Sequence, residues 1–387
     1  MQKRIAEIVK ILNKINIDAL FISSQANVTY LTKFAGLDRN EREAFLLITK
    51  NCVYLLTFPT LFALYKQNQN IKAIQIDHKT GLTNLLADFF RKEKIKKAAF
   101  EKSDMTVAEF QKLRKKTSFV SWRQTENVIE NLRLYKDKQE IDCIKQACRI
   151  ADRALAFILQ HIRQGQTEKE LAVELEYFIK RNADDVAFSP IVAFGKNAAV
   201  PHYLPSNSQR LKTGSLILFD LGAKVNNYCS DITRVVFFGT PDTKFVKIYN
   251  TVLSAQEIAI RHLGGGRMDS SRGLIPRDSP EVENSKKSFS FKASVLDKLI
   301  KDFIKTQGFP PYPHGLGHGV GIEVHESPRL RIDSKEILLP NMTFTIEPGI
   351  YIEDWGGVRI EDLVLLKEDG IEILTKSPKL LRSLNTK

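Results

Sequence analysis

Five side chains in the C-terminal half, Asp220, Asp231, His318, Glu347 and Glu361, are of the types that hold metal ions. Each sits in a short polar break within an apolar or glycine-rich stretch. Four carboxylates and one imidazole make a hard, oxygen-rich donor set. Such a set suits two divalent cations that share bridging carboxylates better than it suits one tetrahedral zinc. Paired cations activate water and stabilise a tetrahedral oxyanion, so these residues predict a dinuclear metallohydrolase.

More such chemistry clusters nearby. The stretch from Pro313 to Gly321 carries His314, His318 and four glycines, and His325 follows. Three of the chain's seven histidines within a dozen residues favour a site over scattered structural imidazoles. The glycines are expected to let backbone approach a ligand closely. The stretch is not a dinucleotide fingerprint, because Val320 stands where a third glycine is needed. His325-Glu326 does not complete a His-Glu-x-x-His zinc helix either, because Arg329 occupies the second histidine's place.

The elements that must position these residues are legible around them. Leu216 to Asp220 alternates as a strand, Asn226-Asn227 suits a tight turn, and Asp231 returns on an antiparallel neighbour with Thr233 on its face. Thr343 to Glu347 reads as a strand ending in a carboxylate. Val358 to Val364 reads as one further strand, with Arg359, Glu361 and Leu363 on a common face. Beside a metal pair, Arg359 would orient a ligand rather than form a simple ion pair.

Upstream, apolar residues at helical spacing predict a helix over Arg4 to Asn16. Strands follow at Ala19 to Ile22, Ala44 to Thr49, Val53 to Thr57 and Lys97 to Phe100, with a helix at Leu82 to Arg91. This alternation predicts an α/β domain over residues 1–133. Long helical patterns from Lys136, and a capping box formed by Thr167 and Glu170, open an α+β domain over residues 134–387. The Gly-, Ser- and charge-rich stretch from Gly264 to about Ser290 separates two helical patterns. It reads as an exposed insert whose deletion leaves activity intact.

A chain of 387 residues that is 43% hydrophobic and 27% charged is a globular, two-domain composition. No apolar run is long enough to span a bilayer, and the charged N-terminal pattern predicts no secretory leader. Four cysteines without a Cys-x-x-Cys pair read as reduced thiols of a cytoplasmic protein. The net charge of +13 comes from lysines spread along many helices, which predicts a solvated basic surface and no specific nucleic-acid partner.

Taken in order, several motifs resemble the pita-bread metallopeptidases of the aminopeptidase P and prolidase (Xaa-Pro dipeptidase) branch. They are Asp220-Leu-Gly-Ala, Ser230-Asp231-Ile-Thr-Arg, His314-Gly-Leu-Gly-His318-Gly-Val-Gly, Val324-His325-Glu326, Thr345-Ile-Glu347-Pro-Gly and Arg359-Ile-Glu361-Asp. Tyr30 to Phe34 resembles the family's creatinase-type N-terminal domain, and Asn197 to Tyr203 its substrate-side loop. The resemblance implies a creatinase-type α/β domain followed by a pita-bread α+β catalytic domain, a homodimer, and cleavage of the peptide bond before proline. It implies that Asp231 and Glu361 bridge two ions (Mn, Co or Zn), that Asp220 completes one shell, and that His318 and Glu347 complete the other. It makes Glu347 the proton carrier, lines the cleft with His202, His314 and His325, and places Arg359 behind the ligands. Arg329 could clamp the C-terminal carboxylate of a dipeptide, or form a structural ion pair. Thr57 to Leu61 departs from the family's pattern in the N-terminal domain. A methionine-aminopeptidase-like exopeptidase, a metal-free creatinase-like hydrolase and a non-catalytic basic binding protein on the same fold remain open at this point.

Overall fold

The computed structural model describes residues 1–34, 42–67, 71–264, 290–379 and 383–384. Residues 265–289, nearly all of the expected insert, therefore lie outside the described residues. The chain divides into two compact units, Met1–Arg133 and Leu134–Lys387.

The first unit is built on a six-stranded sheet in the order Lys72–Gln75, Val53–Thr57, Ala44–Thr49, Ala19–Ile22, Lys97–Glu101, Ser121–Thr125. The three consecutive strands at its centre pair antiparallel, and the outer pairings are parallel. Ala19–Ile22 is buried at every position, which explains why it reads as an unbroken apolar run rather than an alternating one. The expected helices appear at Gln2–Lys14 and Gly81–Lys92.

The second unit places two antiparallel sheets between helical layers. One sheet runs in the order Ser383–Leu384, Ile232–Phe238, Ser215–Leu221, Ile191–Phe194, its first pairing being parallel. The other runs Glu326–Leu330, Gly317–Gly319, Thr343–Ile346, Asp362–Lys367, Gly370–Ile373. Period-two alternation divides their side chains between two cores. Leu216, Leu218, Phe344, Ile346, Val364 and Leu366 pack with the helices Thr243–Leu263 and Ala293–Thr306. Ile217 and Phe219 pack with the helices Lys138–His161 and Glu168–Asn182. Leu363 and Leu365 share a further cluster with Ile144 and Cys148 of Lys138–His161. Each large apolar side chain so buried contributes about 1.5–3 kcal/mol. The Thr167–Glu170 capping box is formed, and Asp137 with Glu140 forms another at the start of the preceding helix.

One expected element differs. Val358 to Val364 is not one strand: pairing stops after Arg359 and resumes at Asp362. Gly356–Arg359 pairs with Gly349–Ile352, whereas Asp362–Lys367 pairs with Thr343–Ile346. The chain changes partners at Ile360-Glu361, and a period-two pattern cannot show a change of partner.

Candidate metal centre

Asp220 lies on Ser215–Leu221 opposite Thr233, and Asp231 directly precedes the strand that carries Thr233. The connection between them folds into two short strands joined through Asn226 and Asn227, both at positive φ, as a tight turn requires. His318 is the middle residue of Gly317–Gly319. Glu347 follows Thr343–Ile346, and Glu361 occupies the partner-switching break. Asp231, Glu347 and Glu361 thus sit just outside strand ends, while Asp220 and His318 lie within strands whose ladders fix the backbone.

Their ligand atoms converge in overlapping sets, within each of which every atom lies within 4.8 Å of the others. Asp220, Asp231 and Glu361 form one set; His318, Glu347 and Glu361 a second; Asp231, His318 and His325 a third. Glu361 belongs to the first two, and Asp231 to the first and third. His318 Nε2 is 3.2 Å from Glu347 Oε1 and 3.7 Å from Asp231 Oδ2.

Polar groups around the acids fix their rotamers. Thr233 Oγ1 donates to Glu361 Oε2 at 2.6 Å and accepts from Arg359 Nε at 3.0 Å. Arg359 also donates to Asp220 Oδ2 at 2.5 Å and to the Tyr351 hydroxyl at 3.1 Å. Thr345 Oγ1 donates to Glu347 Oε1 at 3.0 Å and accepts from the His318 amide at 3.1 Å. The glycines beside His318 serve strand packing rather than ligand approach: a Cβ at Gly317 would lie 2.0 Å from the Thr345 carbonyl oxygen, and one at Gly319 would lie 2.0 Å from that of Ser327.

The electrostatics are those of a cation site. Burial, reinforced by neighbouring acids, raises the Asp231 and Glu361 carboxyls well above the usual range. Burial also raises Asp220, against the opposing charge of Arg359. Burial acts to raise Glu347 as well, but the hydrogen bond and charge of His318, with His314 and Arg359, outweigh it and hold Glu347 at about 2. So many neighbouring acids ionise together only when positive charge is supplied. Asp220 Oδ1 and Asp231 Oδ1 are buried with no hydrogen-bond partner among the described residues, so their lone pairs remain available to cations. The donor set therefore fits a pair of hard divalent ions.

The remaining expected residues take different positions. His325 stacks edge-on against His318 with ring centroids 4.4 Å apart; burial, His318 and Arg329 lower it to about 4, so its ring is neutral at pH 7. Arg329 is exposed and donates to the His325 carbonyl at 3.2 Å; no carboxylate pairs with its guanidinium among the described residues. His202 is exposed and close enough for Asp220 and His325 to feel its charge. His314 stands one step back. Its Nδ1 faces the Gly315 carbonyl at 2.7 Å, which fixes the proton there, and its Nε2 accepts from Tyr351 at 2.9 Å. Its hydrogen bonds lead to the acids through Tyr351 and Arg359, and its ring is also close enough to act on Glu347 electrostatically.

The loop that presents His202 is anchored by the fully buried Glu168, which accepts from the Phe194 amide, Asn197 Nδ2 and the Tyr203 hydroxyl, each at 2.8 Å. The same loop lies flush on the strand of Arg359: a Cβ at Gly357 would lie 2.1 Å from the Ala198 carbonyl oxygen. Thr233, Thr345, Tyr351 and Glu168 escaped sequence reading as site residues. Thr233 and Thr345 carried a usable signal, since alternation puts Thr233 across from Asp220 and Thr345 two residues before Glu347. Tyr351 carried none.

Residues 142–271 and 284–368 match metallopeptidase family M24, and residues 4–135 match the creatinase/prolidase N-terminal domain. The chain is 33% identical over 382 residues to the Xaa-Pro dipeptidase of Pyrococcus horikoshii, covering 98% of both chains. It is similar to the solved Xaa-Pro dipeptidase from Bacillus anthracis (31% identity, TM-score 0.84, 99% of both chains). It is also similar to the X-Pro aminopeptidase from Thermotoga maritima (33% identity, TM-score 0.81, 95% of this chain and 98% of that one).

Proposed function

Because the chain belongs to metallopeptidase family M24, with a creatinase-type N-terminal domain ahead of a pita-bread catalytic domain, we propose that it is an exopeptidase that hydrolyses the peptide bond before proline. Among the peptides that qualify, Xaa-Pro dipeptides are the substrates the cleft favours. The observation that carries this reading is the convergence of Asp220, Asp231, His318, Glu347 and Glu361 in sets that share Glu361 and Asp231.

The family implies divalent metal ions, and the orphaned carboxylate oxygens support their binding here: Asp220, Asp231, His318, Glu347 and Glu361 would hold two of them. Manganese, cobalt and zinc all suit the donors. When bound, the ions supply Lewis acidity and lower the pKa of a water.

The chain's own groups do the rest. Glu347, held ionised, accepts the proton of the attacking water and delivers it to the imino nitrogen of the leaving proline. His325, neutral at pH 7, donates one N–H to the oxygen that gains charge, with His202 beside it at the cleft. Arg359 opposes the rise that burial imposes on Asp220 and aims its carboxylate, with His314 and Tyr351 behind it. The exposed guanidinium of Arg329, which no carboxylate pairs among the described residues, suits the carboxylate of a dipeptide, which favours a dipeptidase over an enzyme that trims long peptides.

A panel of Xaa-Pro dipeptides, Xaa-Pro-Xaa tripeptides and Met-Ala peptides, each with Mn(II), Co(II) or Zn(II), tests this. We expect turnover of the dipeptides, with R329A raising KM for them selectively. Hydrolysis of Met-Ala alone, or no turnover under any loading, sinks the reading. The named relatives above give no support to a methionine-specific or non-catalytic alternative. Among the described residues no helix is long and apolar enough to cross a membrane. The four free cysteines support a reducing, cytoplasmic setting, and a homodimer, implied by the family likeness, is tested by sedimentation.

A further inference from the structure

One polar side chain interrupts the apolar face of Thr243–Leu263. Gln256 is fully buried, one helical turn from Val252 and Ala259, among residues that otherwise serve the core. Its Nε2 donates to the carbonyl oxygens of Ile346 and Ile360, each at 3.1 Å. These two residues immediately precede Glu347 and Glu361. One amide group therefore ties together the two backbone breaks from which these acids project.

Lys379 fixes which way the amide points. Its Nζ lies 3.0 Å from Gln256 Oε1 and 2.8 Å from Asp362 Oδ2. An ammonium can only donate and a carbonyl can only accept, so the amide oxygen must face Lys379 and the NH2 must face the two carbonyls. Asp362 in turn accepts from Arg234 and Thr375, so the lysine is itself held in place.

We propose that Gln256 is a positioning residue that sets the spacing of Glu347 and Glu361, and thereby the affinity of the site for its second cation, with Lys379 holding the amide in register. This rests on the assignment of Glu347 and Glu361 as ligands. Glu347 and Glu361 belong to the same ligand set, so separating their backbones pulls that set apart without removing a donor. Loss of such supporting contacts typically weakens metal binding by about 10- to 100-fold.

The test is manganese titration of the metal-free protein by calorimetry, with paramagnetic resonance of the spin-coupled ion pair, for wild type, Q256M and K379M. Methionine keeps the shape and removes both donors. We expect Q256M to hold one ion near wild-type affinity, to bind the second about 10- to 100-fold more weakly, and to lose the coupled signal at stoichiometric metal. K379M should shift the second ion in the same direction by less. Two equally tight ions in Q256M, even with a lowered melting temperature, overturn the proposal, since that is what a purely structural glutamine predicts. If Q256M does not fold, K379M decides: an unchanged second affinity overturns it. Wild-type protein that takes up no manganese instead overturns the reading of the site on which the proposal rests.

Discussion

At the residue scale, three of the four acids at the centre are each held by a particular neighbour. Asp220 answers to Arg359, Glu361 to Thr233, and Glu347 to His318 and Thr345. Tyr351 is the link that sequence reading could not supply, since it joins His314 to Arg359 while lying outside every ligand motif. Y351F should lower kcat about 5-fold, the equivalent of one hydrogen bond of about 1 kcal/mol, with metal content unchanged. Steady-state kinetics with elemental analysis checks this, and loss of an ion from Y351F would assign the tyrosine to the metal shell instead. The metal-type residues themselves were legible because carboxylates and imidazoles in apolar, glycine-rich surroundings are costly unless they are used. Gln256 offered a comparable signal, a lone amide on an apolar helical face, but such a residue usually satisfies some local backbone group.

At the element scale, strands with a single environment were readable to the residue: Ala44–Thr49 and Val53–Thr57 are found where their apolar runs put them. Breaks were not readable, because they are decided by which neighbour each strand meets. Ile360-Glu361 is the clearest example: its pattern continues while its pairing stops. The glycines flanking His318 are element-scale features too. An added methyl at Gly317 would drive the His318 strand away from Thr345, the residue that orients Glu347. G317A should therefore cost about 1–3 kcal/mol and weaken manganese binding together, as read by urea denaturation and metal titration. Unchanged ion affinity in a destabilised G317A would show that the strand carries stability but not site geometry.

At the scale of the whole molecule, buried acids in both units titrate upward. In the first unit Glu101, 5% exposed, is raised to about 7 by burial, despite accepting from the Ser23 and Ser24 amides and Asn27. In the second unit Asp220, Asp231 and Glu361 are raised as well. A carboxyl whose folded pKa exceeds its unfolded value contributes stability that is complete below the unfolded value and lost as pH rises through the folded one. Metal-free protein should therefore lose stability between pH 5 and pH 8, with about 3 kcal/mol from Glu101 alone. On the proposed function, cations would compensate the second unit's acids and leave Glu101 untouched, so manganese-loaded protein should lose markedly less over the same interval. Chemical denaturation at several pH values, with and without metal, reads the difference; identical slopes would mean that ions do not replace protons at the centre. The division into an α/β and an α+β part was visible in the change from short alternating segments to long helices. The sharing of two sheets between common helical layers was not, because it depends on contacts between residues distant along the chain.

The close seating of Ala198 on Gly357 carries one more consequence. There is no side-chain cushion between the segment that presents His202 and the strand that presents Arg359, so the two behave as one mechanical piece. On the proposed function, a peptide that displaces the His202 segment would also displace the strand whose Arg359 guanidinium donates to Asp220. We therefore expect that redesigning the loop for a new substrate would also retune the proposed centre beneath it.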